Sequence, residues 1–275
     1  MQEKHEIRPG QSVDLLKELH ILTRDGRLNQ DSRRKLKQVY HLTGFIEPLI
    51  NKILEKQKDV QLVDIGAGKS YLGFILYDLF FKGQNLASCV HGIETRAELV
   101  GKSRVLAAQL GFAGMQFHDL DAASAHDAKI LPERIDIVTA LHACNTATDD
   151  AIRFALKRKS PCIVLVPCCQ AEVAAMLRKH KARMLADPLA ELWRHPIHSR
   201  EFGSHVTNVL RCLQLQAHGY DVNVTELVGW EHSMKNELIV ARQENRPGRV
   251  AAERLQMLLS QLGLEELHER FFIPA

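Results

Sequence analysis

Residues 63–73, Val63-Asp64-Ile65-Gly66-Ala67-Gly68-Lys69-Ser70-Tyr71-Leu72-Gly73, constrain the fold more than any other stretch of the chain. An apolar strand-like run meets an acid, passes through a turn carrying two glycines, and enters a helix-like run. Glycine takes backbone dihedrals that a Cβ forbids and lets a ligand approach the main chain closely. The acid is the discriminating residue. A carboxylate at a strand end repels a pyrophosphate and suits a cationic ligand.

The residues around this turn repeat its pattern. Short apolar strands are predicted at 60–65, 89–94, 115–118, 135–141 and 161–166. Stretches of helical length and period fall between them, at 70–82, 96–110 and 147–159. Strand–helix alternation of this kind means an α/β fold with a mostly parallel sheet and helices on both faces. Residues 12–56 read as helical. Leu15, Leu16, Leu19, Ile21 and Leu22 form a first apolar face, Asp25-Gly26 breaks it, and Asn29 or Asp31 caps a second segment that Pro48 kinks or restarts. Residues 170–218 are mostly helical, with interruptions at Asp187-Pro188 and His195-Pro196. Two strands at about 220–228 and 237–242 form a terminal hairpin. An amphipathic tail from Val250 to Phe272 packs on the domain or on a second subunit. The resulting division is an N-terminal helical extension at 1–56, a ligand-binding domain at 57–243 and a helical tail at 244–275.

Three glycine-rich motifs compete for residues 63–73. A phosphate-cradling loop of the form G-x-x-x-x-G-K-[ST] ends in Gly68-Lys69-Ser70 but requires its first glycine where Val63 stands. A dinucleotide fingerprint G-x-G-x-x-G accepts Gly66 and Gly68 but meets Tyr71 at its third glycine. The S-adenosylmethionine (SAM) loop, hydrophobic-hydrophobic-(D/E)-x-G-x-G, fits Val63 through Gly68 throughout. A second acid strengthens it. The next strand ends His91-Gly92-Ile93-Glu94, which places Glu94 beside the loop, positioned to accept from both ribose hydroxyls. The third strand ends Phe117-His118-Asp119-Leu120-Asp121. There Asp119, or Asp121 as second choice, is the candidate for the adenine amino group, with Leu120 packed on the ring.

Two further segments follow the fourth and fifth strands: Leu141-His142-Ala143-Cys144-Asn145-Thr146-Ala147-Thr148-Asp149-Asp150, and Pro167-Cys168-Cys169-Gln170. With the glycine loop, they resemble a family of class I methyltransferases whose members carry L-H-A-C-(D/N)-x-A-T-D and P-C-C-(Q/H) segments. The same domain type occurs in the human protein with a glutathione S-transferase C-terminal domain. It is distantly similar to the eukaryotic tRNA 2′-O-methyltransferase that acts on the acceptor stem. The resemblance spans about residues 30–243. It implies a Rossmann-like, mostly parallel seven-stranded sheet and SAM as cofactor. By that resemblance Asp64, Gly66, Gly68 and Glu94 carry over as cofactor positions; Ala67, Tyr71, Leu72, Asp119, Leu120 and Leu141 are the further cofactor candidates beside them. His142, Cys144, Thr148, Asp149, Cys168 and Cys169 carry over as motif positions. Asn145 stands where the family often has Asp, which weighs against any mechanism needing a carboxylate there.

The fourth and fifth strands are neighbours in such a sheet, so His142, Cys144, Cys168 and Cys169 leave adjacent strand ends. Three chemistries remain open for them. His142 or Asp149 serves as general base toward a hydroxyl. A cysteine attacks a pyrimidine ring. Or the soft ligands hold a metal, which adjacent cysteines suit poorly, so no metal is expected. A purely structural role for Cys168 and Cys169, as buried small residues shaping the pocket, stands beside these. The absence of (D/N)-P-P-(Y/F) after the fourth strand disfavours methylation of an exocyclic base amine.

Composition narrows the rest. With 36 Lys and Arg against 33 Asp and Glu, the net charge is +3, which does not by itself indicate a nucleic-acid partner. Basic residues nevertheless cluster at Arg24, Arg27, Arg33, Arg34, Lys35 and Lys37, at Lys157-Arg158-Lys159, and at Arg178-Lys179-His180-Lys181. These contact phosphates or are solvated helix faces. Stacking platforms are few (Trp193, Trp230, Tyr71), and no RNA-binding module is visible. RNA, as tRNA or rRNA, is the expected acceptor. A protein or small-molecule acceptor is the rival, and a non-catalytic SAM-binding module is the third reading. Six cysteines without a C-x-x-C pair, no spanning apolar run and no signal-peptide pattern at Met1-Gln2-Glu3-Lys4-His5 point to a reducing cytoplasm, with a homodimer through the tail as one possible assembly.

Overall fold

The hydrophobic period changes near residue 57, and there the sheet begins in the computed structural model, which describes residues 7–83, 87–141, 146–167, 171–179, 188–227 and 237–272. Strands β1 (Gln61–Ile65), β2 (Cys89–Glu94), β3 (Met115–Asp119), β4 (Ile137–Leu141) and β5 (Cys162–Val166) run parallel. The antiparallel pair β6 (Tyr220–Glu226) and β7 (Glu237–Gln243) completes, among the described residues, a seven-stranded sheet in the order β3-β2-β1-β4-β5-β7-β6. This is the expected mostly parallel α/β architecture, terminal hairpin included.

Parallel strands covered on both faces read as near-continuous apolar runs, and β5, Cys-Ile-Val-Leu-Val, is buried along its whole length. The two-residue period still sorts side chains between two cores. Leu62, Val90, Ile137 and Val164 enter one, with α2 (Gln30–Leu54), α3 (Tyr71–Leu76) and α4 (Ala97–Leu110) over them. Val63, Ile93, Val138 and Ile163 enter the other, under α5 (Ala147–Lys157). From β1 the chain steps outward to β2 and β3, then returns to β4 on the opposite side of β1. Connections leaving β1 and β4 therefore diverge, and a crevice opens at the carboxyl ends of the strands.

The N-terminal extension is only partly helical. Helix α1 (Val13–Glu18) is followed by a folded loop before α2, because Leu16 O accepts from the N–H groups of both Ile21 and Leu22 and Gly26 turns the chain at φ +77°. The apolar face read from Leu15 to Leu22 is nonetheless buried throughout. Asn29 is the N-cap of α2, its Oδ1 accepting from Ser32 N–H at 2.8 Å. Pro48 sits inside α2 without ending it. Proline crowds the carbonyl four residues back; here that residue is Gly44, and buried Ile46, Leu49 and Ile50 hold the helix to the core on either side. Past α3 the helix widens into a π-type turn at Tyr77–Phe81, where Tyr77 Oη accepts from Gly114 N–H at 3.0 Å.

Helices α6 (Glu172–Lys179) and α7 (Pro196–Ala217) form a layer that receives the tail, α8 (Arg249–Gln261) and α9 (His268–Phe271). Leu255, Leu259 and Phe271 pack with Trp193 and Leu210. The apolar stripe of the tail is thus covered within its own chain. No helix among the described residues is long and apolar enough to cross a membrane.

Candidate functional site

The turn after β1 is held open by left-handed backbone. Gly66, Gly68 and Ser70 have φ of +67°, +59° and +52°. The Ala67 N–H donates to Ile93 O at 3.0 Å, which ties the turn to the end of β2. A Cβ added at Gly68 meets nothing nearer than Arg96 Nη2 at 3.8 Å, so it projects into the crevice. The missing side chains leave bare main chain facing that space.

Two acids flank the turn in opposite states. Asp64 is 3 % exposed, and its Oδ1 accepts from Thr139 Oγ1 on β4 at 2.7 Å. Burial pushes its carboxyl up to about 7, against the smaller opposing effect of the Thr139 bond. No cation lies against it among the described residues. Glu94, on β2, is saturated instead. Its Oε1 accepts from Arg96 N–H at 3.0 Å and Arg96 Nε at 2.8 Å; its Oε2 accepts from Gly68 N–H at 2.8 Å and Arg96 Nη2 at 3.0 Å. The Arg96 guanidinium, aided by the backbone N–H groups, holds this carboxyl down to about 2. Across the register from Glu94 stands Asp119. Asp119 and Asp121 are exposed, and between them Leu120 is half-buried against the second core.

Leu141 ends β4 directly opposite Val166, the end of β5. His142, Cys144, Cys168 and Cys169 follow these ends and lie outside the described residues. Asp149, in the first turn of α5, is buried and does not stand free. Its two oxygens accept from Arg211 Nε at 2.6 Å and Nη2 at 3.1 Å. Arg211 is fully buried on α7 and also donates to Asn208 Oδ1, and Asn208 Nδ2 donates to Glu237 at the start of β7. Thr148 is buried beside it. Among the described residues, no group of His, Cys, Asp and Glu is arranged to hold a metal ion. Thr139, Arg96 and Arg211 are absent from the sequence reading. Only Arg96, two residues past Glu94, carried a positional signal.

Tyr71 and Leu72 open α3 immediately after the turn and line an apolar cavity of about 390 Å³. Leu141 closes one side of it. Leu19, Ile21, Val39 and Leu42 of the N-terminal extension form its roof, with His20, Lys35 and Gln38 also contributing to the lining. Tyr71 also borders a second cavity of about 580 Å³, between α1 and α4, which Lys69 and Lys102 line.

A family model described as a methyltransferase domain matches residues 34–176, just over half of the sequence and including the whole turn, both flanking acids and the segments after β4 and β5. The chain belongs to that methyltransferase family. No curated protein matches the sequence. Solved structures of similar path include a SAH-bound methyltransferase from Podospora anserina, at TM-score 0.48 and 11% identity, covering 88% of this chain and 91% of that one. A SAH-bound magnesium protoporphyrin IX methyltransferase from Synechocystis PCC 6803 has TM-score 0.45 and 14% identity, covering 84% and 93%. An rRNA methylase from Streptococcus thermophilus has TM-score 0.42 and 11% identity, covering 68% and 88%. At these scores none bears on what this methyltransferase modifies.

The cofactor of this methyltransferase is S-adenosyl-L-methionine, and its residues fit that molecule. A dry carboxylate without a cation suits a positively charged ligand, and bare glycine main chain admits one at close range. A strand-end acid whose oxygens already accept five hydrogen bonds, four from N–H groups and a long one from Thr95 Oγ1, is placed to exchange some of them for hydroxyl donors.

Proposed function

We propose that this methyltransferase acts on RNA, with tRNA and rRNA as the candidate classes. The observation that carries the reading is where the positive charge sits. Residues 17–37 hold seven Lys and Arg against three Asp and Glu, a larger surplus than the +3 of the whole chain. Arg24, Arg27, Arg33, Arg34 and Lys37 are exposed there. Leu19, Ile21 and Lys35, which line the cavity next to the donor turn, come from the same segment. Cations around the mouth of an acceptor cavity suit a polyanionic substrate, whose phosphates supply most of the binding energy. Several of these cations pair with acids, such as Arg27 with Asp25 and Arg34 with Asp31. Exposed pairs of that kind contribute about 0–1 kcal/mol, so a phosphate displaces them readily.

Bound SAM supplies an electrophilic methyl group on a cationic sulfur. In the proposed assignment Asp64 faces its methionine end, and the main chain of Gly66, Ala67 and Gly68 lies against it. Glu94 accepts from the ribose hydroxyls, Asp119 accepts from the adenine amino group, and Leu120 and Leu141 pack on the apolar parts. On the acceptor side His142 is the general base toward a ribose hydroxyl. This accords with the distant similarity of the domain type that carries L-H-A-C and P-C-C segments to a tRNA 2′-O-methyltransferase. Cys144, Cys168 and Cys169 follow the ends of β4 and β5 in sequence. Asp149, with both oxygens engaged by Arg211, is assigned to positioning the start of α5 and not to proton transfer.

The test is transfer of labelled methyl from SAM into RNA, protein and small-molecule fractions of a cell extract. Label in RNA is expected, lost on nuclease treatment and absent with a His142→Ala variant. Label confined to protein or small molecules overturns the RNA acceptor.

A further inference from the structure

The apolar cavity beside the donor turn has a composition at odds with most of what an RNA offers. Aliphatic side chains from three separate elements form its walls: Leu19 before α2, Leu42 on α2, Leu72 and Ile75 on α3. A phosphate or a ribose buried among them gives up water without gaining partners. A nucleobase differs, because its flat face is apolar and only its edge is polar. Tyr71 stands where such a face would lie. It is 41 % exposed at the first position of α3, and it borders both this cavity and the neighbouring one. Cations stand on both sides of that ring. Lys35 lines the first cavity; Lys69 and Lys102 line the second. Lys35 is engaged by Asp31 and Lys102 by Glu98, while Lys69 has no partner among the described residues.

We infer that the cavity seats a single unpaired base of the acceptor, stacked on Tyr71, with the flanking phosphates running over Lys35 and Lys69. The inference rests on RNA being the acceptor. In a duplex both faces of a base are covered by its neighbours, so a paired base enters only after extrusion, at the cost of unstacking. This methyltransferase therefore selects unpaired nucleotides: loops, ends, or positions whose pairing is already weak. Specificity at this point comes chiefly from base accessibility and stacking, because most of the lining is aliphatic and His20, Lys35, Gln38 and the Tyr71 hydroxyl are its only polar side chains among the described residues.

One RNA sequence, free and annealed to its complement, is titrated onto the SAM-saturated protein, with 2-aminopurine at a single position to report stacking. The free strand is expected to bind at least about tenfold more tightly, and Tyr71→Ala to weaken it by about tenfold, the size of one base–aromatic stack, while Tyr71→Phe retains it. Val39→Trp, which fills the cavity, is expected to abolish the fluorescence change. Calorimetry with SAM on each variant separates the two sites, because Tyr71 is also a candidate cofactor position: a Tyr71→Ala protein that loses SAM affinity as much as RNA affinity overturns the cavity assignment. Equal affinity for free and annealed RNA, or a neutral Tyr71→Ala, overturns the cavity assignment and leaves the RNA acceptor standing. Failure of SAM-competent protein to bind RNA in either form overturns the RNA acceptor itself, and this inference with it.

Discussion

The ends of β1 and β2 lie side by side, and each carries one carboxylate next to the glycine turn, yet the two are opposites. Asp64 is dry, accepts from one neutral hydroxyl and is pushed up to about 7. Glu94 is ringed by four N–H donors and held down to about 2. The first is short of a cation and the second has one already. A cofactor with a cationic methionine end and a neutral diol at its ribose matches that asymmetry: charge is needed at β1, and hydrogen-bond exchange at β2. Asp149 supplies a third case, a buried carboxylate whose cation is built into the fold as Arg211. Residue type alone does not separate these three acids; what surrounds each one does.

The comparison is broken hardest at the third acid. Arg211→Met removes the cation that, among the described residues, balances the buried Asp149, and leaving such a charge uncompensated costs about 3–5 kcal/mol. Denaturant unfolding should show a loss of that order. A smaller loss in the double variant Arg211→Met with Asp149→Leu would confirm that the burden is the stranded charge. A stability unchanged by Arg211→Met would show that the pair is dispensable and leave Asp149 open to a chemical role.

Next in size is the glycine turn. Gly68→Val puts a β-branched side chain at φ +59° and projects it into the crevice. SAM affinity by calorimetry should fall at least about a hundredfold, or about 2.7 kcal/mol, while the melting temperature moves by only a few degrees. Unaltered affinity would mean that the turn does not meet the cofactor.

How far these assignments were legible depends on range. The glycine turn, the strand ends at Asp64 and Glu94 and the hairpin are local patterns, set by glycine positions and by a period of two, and a linear sequence displays them. Asn29 was readable as a cap for the same reason. Thr139 and Arg211 were not. Each meets its acid across more than sixty residues of intervening chain, and neither has a neighbour in sequence that announces the contact. The motif reading placed Asp149 with the chemical groups because motifs record which residues recur, not what each one touches. The loop between α1 and α2 failed to read as a loop because its apolar residues are spaced like a helix, while its hydrogen bonds converge on Leu16 O.

A smaller effect is expected from pH. Asp64 holds its proton more tightly folded, near pH 7, than unfolded, near pH 4, so its contribution to stability is complete below about pH 4 and is lost as pH rises through 7. A bound cation favours the ionised form and works in the opposite direction. SAM affinity should therefore rise about tenfold between pH 6 and pH 8, the change in the ionised fraction of a group with pKa near 7. Asp64→Asn should flatten that rise and lower the affinity at pH 8 by a similar factor. A profile that stays as steep in the variant would place the titrating group elsewhere.

The smallest effect tests the second acid, and its sign is the informative part. Arg96 donates to Glu94 three times, and its Nη2 reaches across the glycine turn. Its side chain is 66% exposed, so the pair is screened by water and its loss should barely move stability. If Glu94 receives the ribose hydroxyls, the guanidinium competes with them for the same oxygens and must withdraw as the cofactor enters. Arg96→Ala then tightens SAM by about threefold, because the competitor is gone and the backbone N–H bonds remain. The association rate should carry most of that gain. Glu94→Gln separates the two roles: it should weaken SAM and, combined with Arg96→Ala, abolish the gain. Weaker binding in Arg96→Ala alone would make the guanidinium a ligand of the cofactor and not its rival, and would dissolve the contrast between an acid in want of a cation and an acid that must give one up.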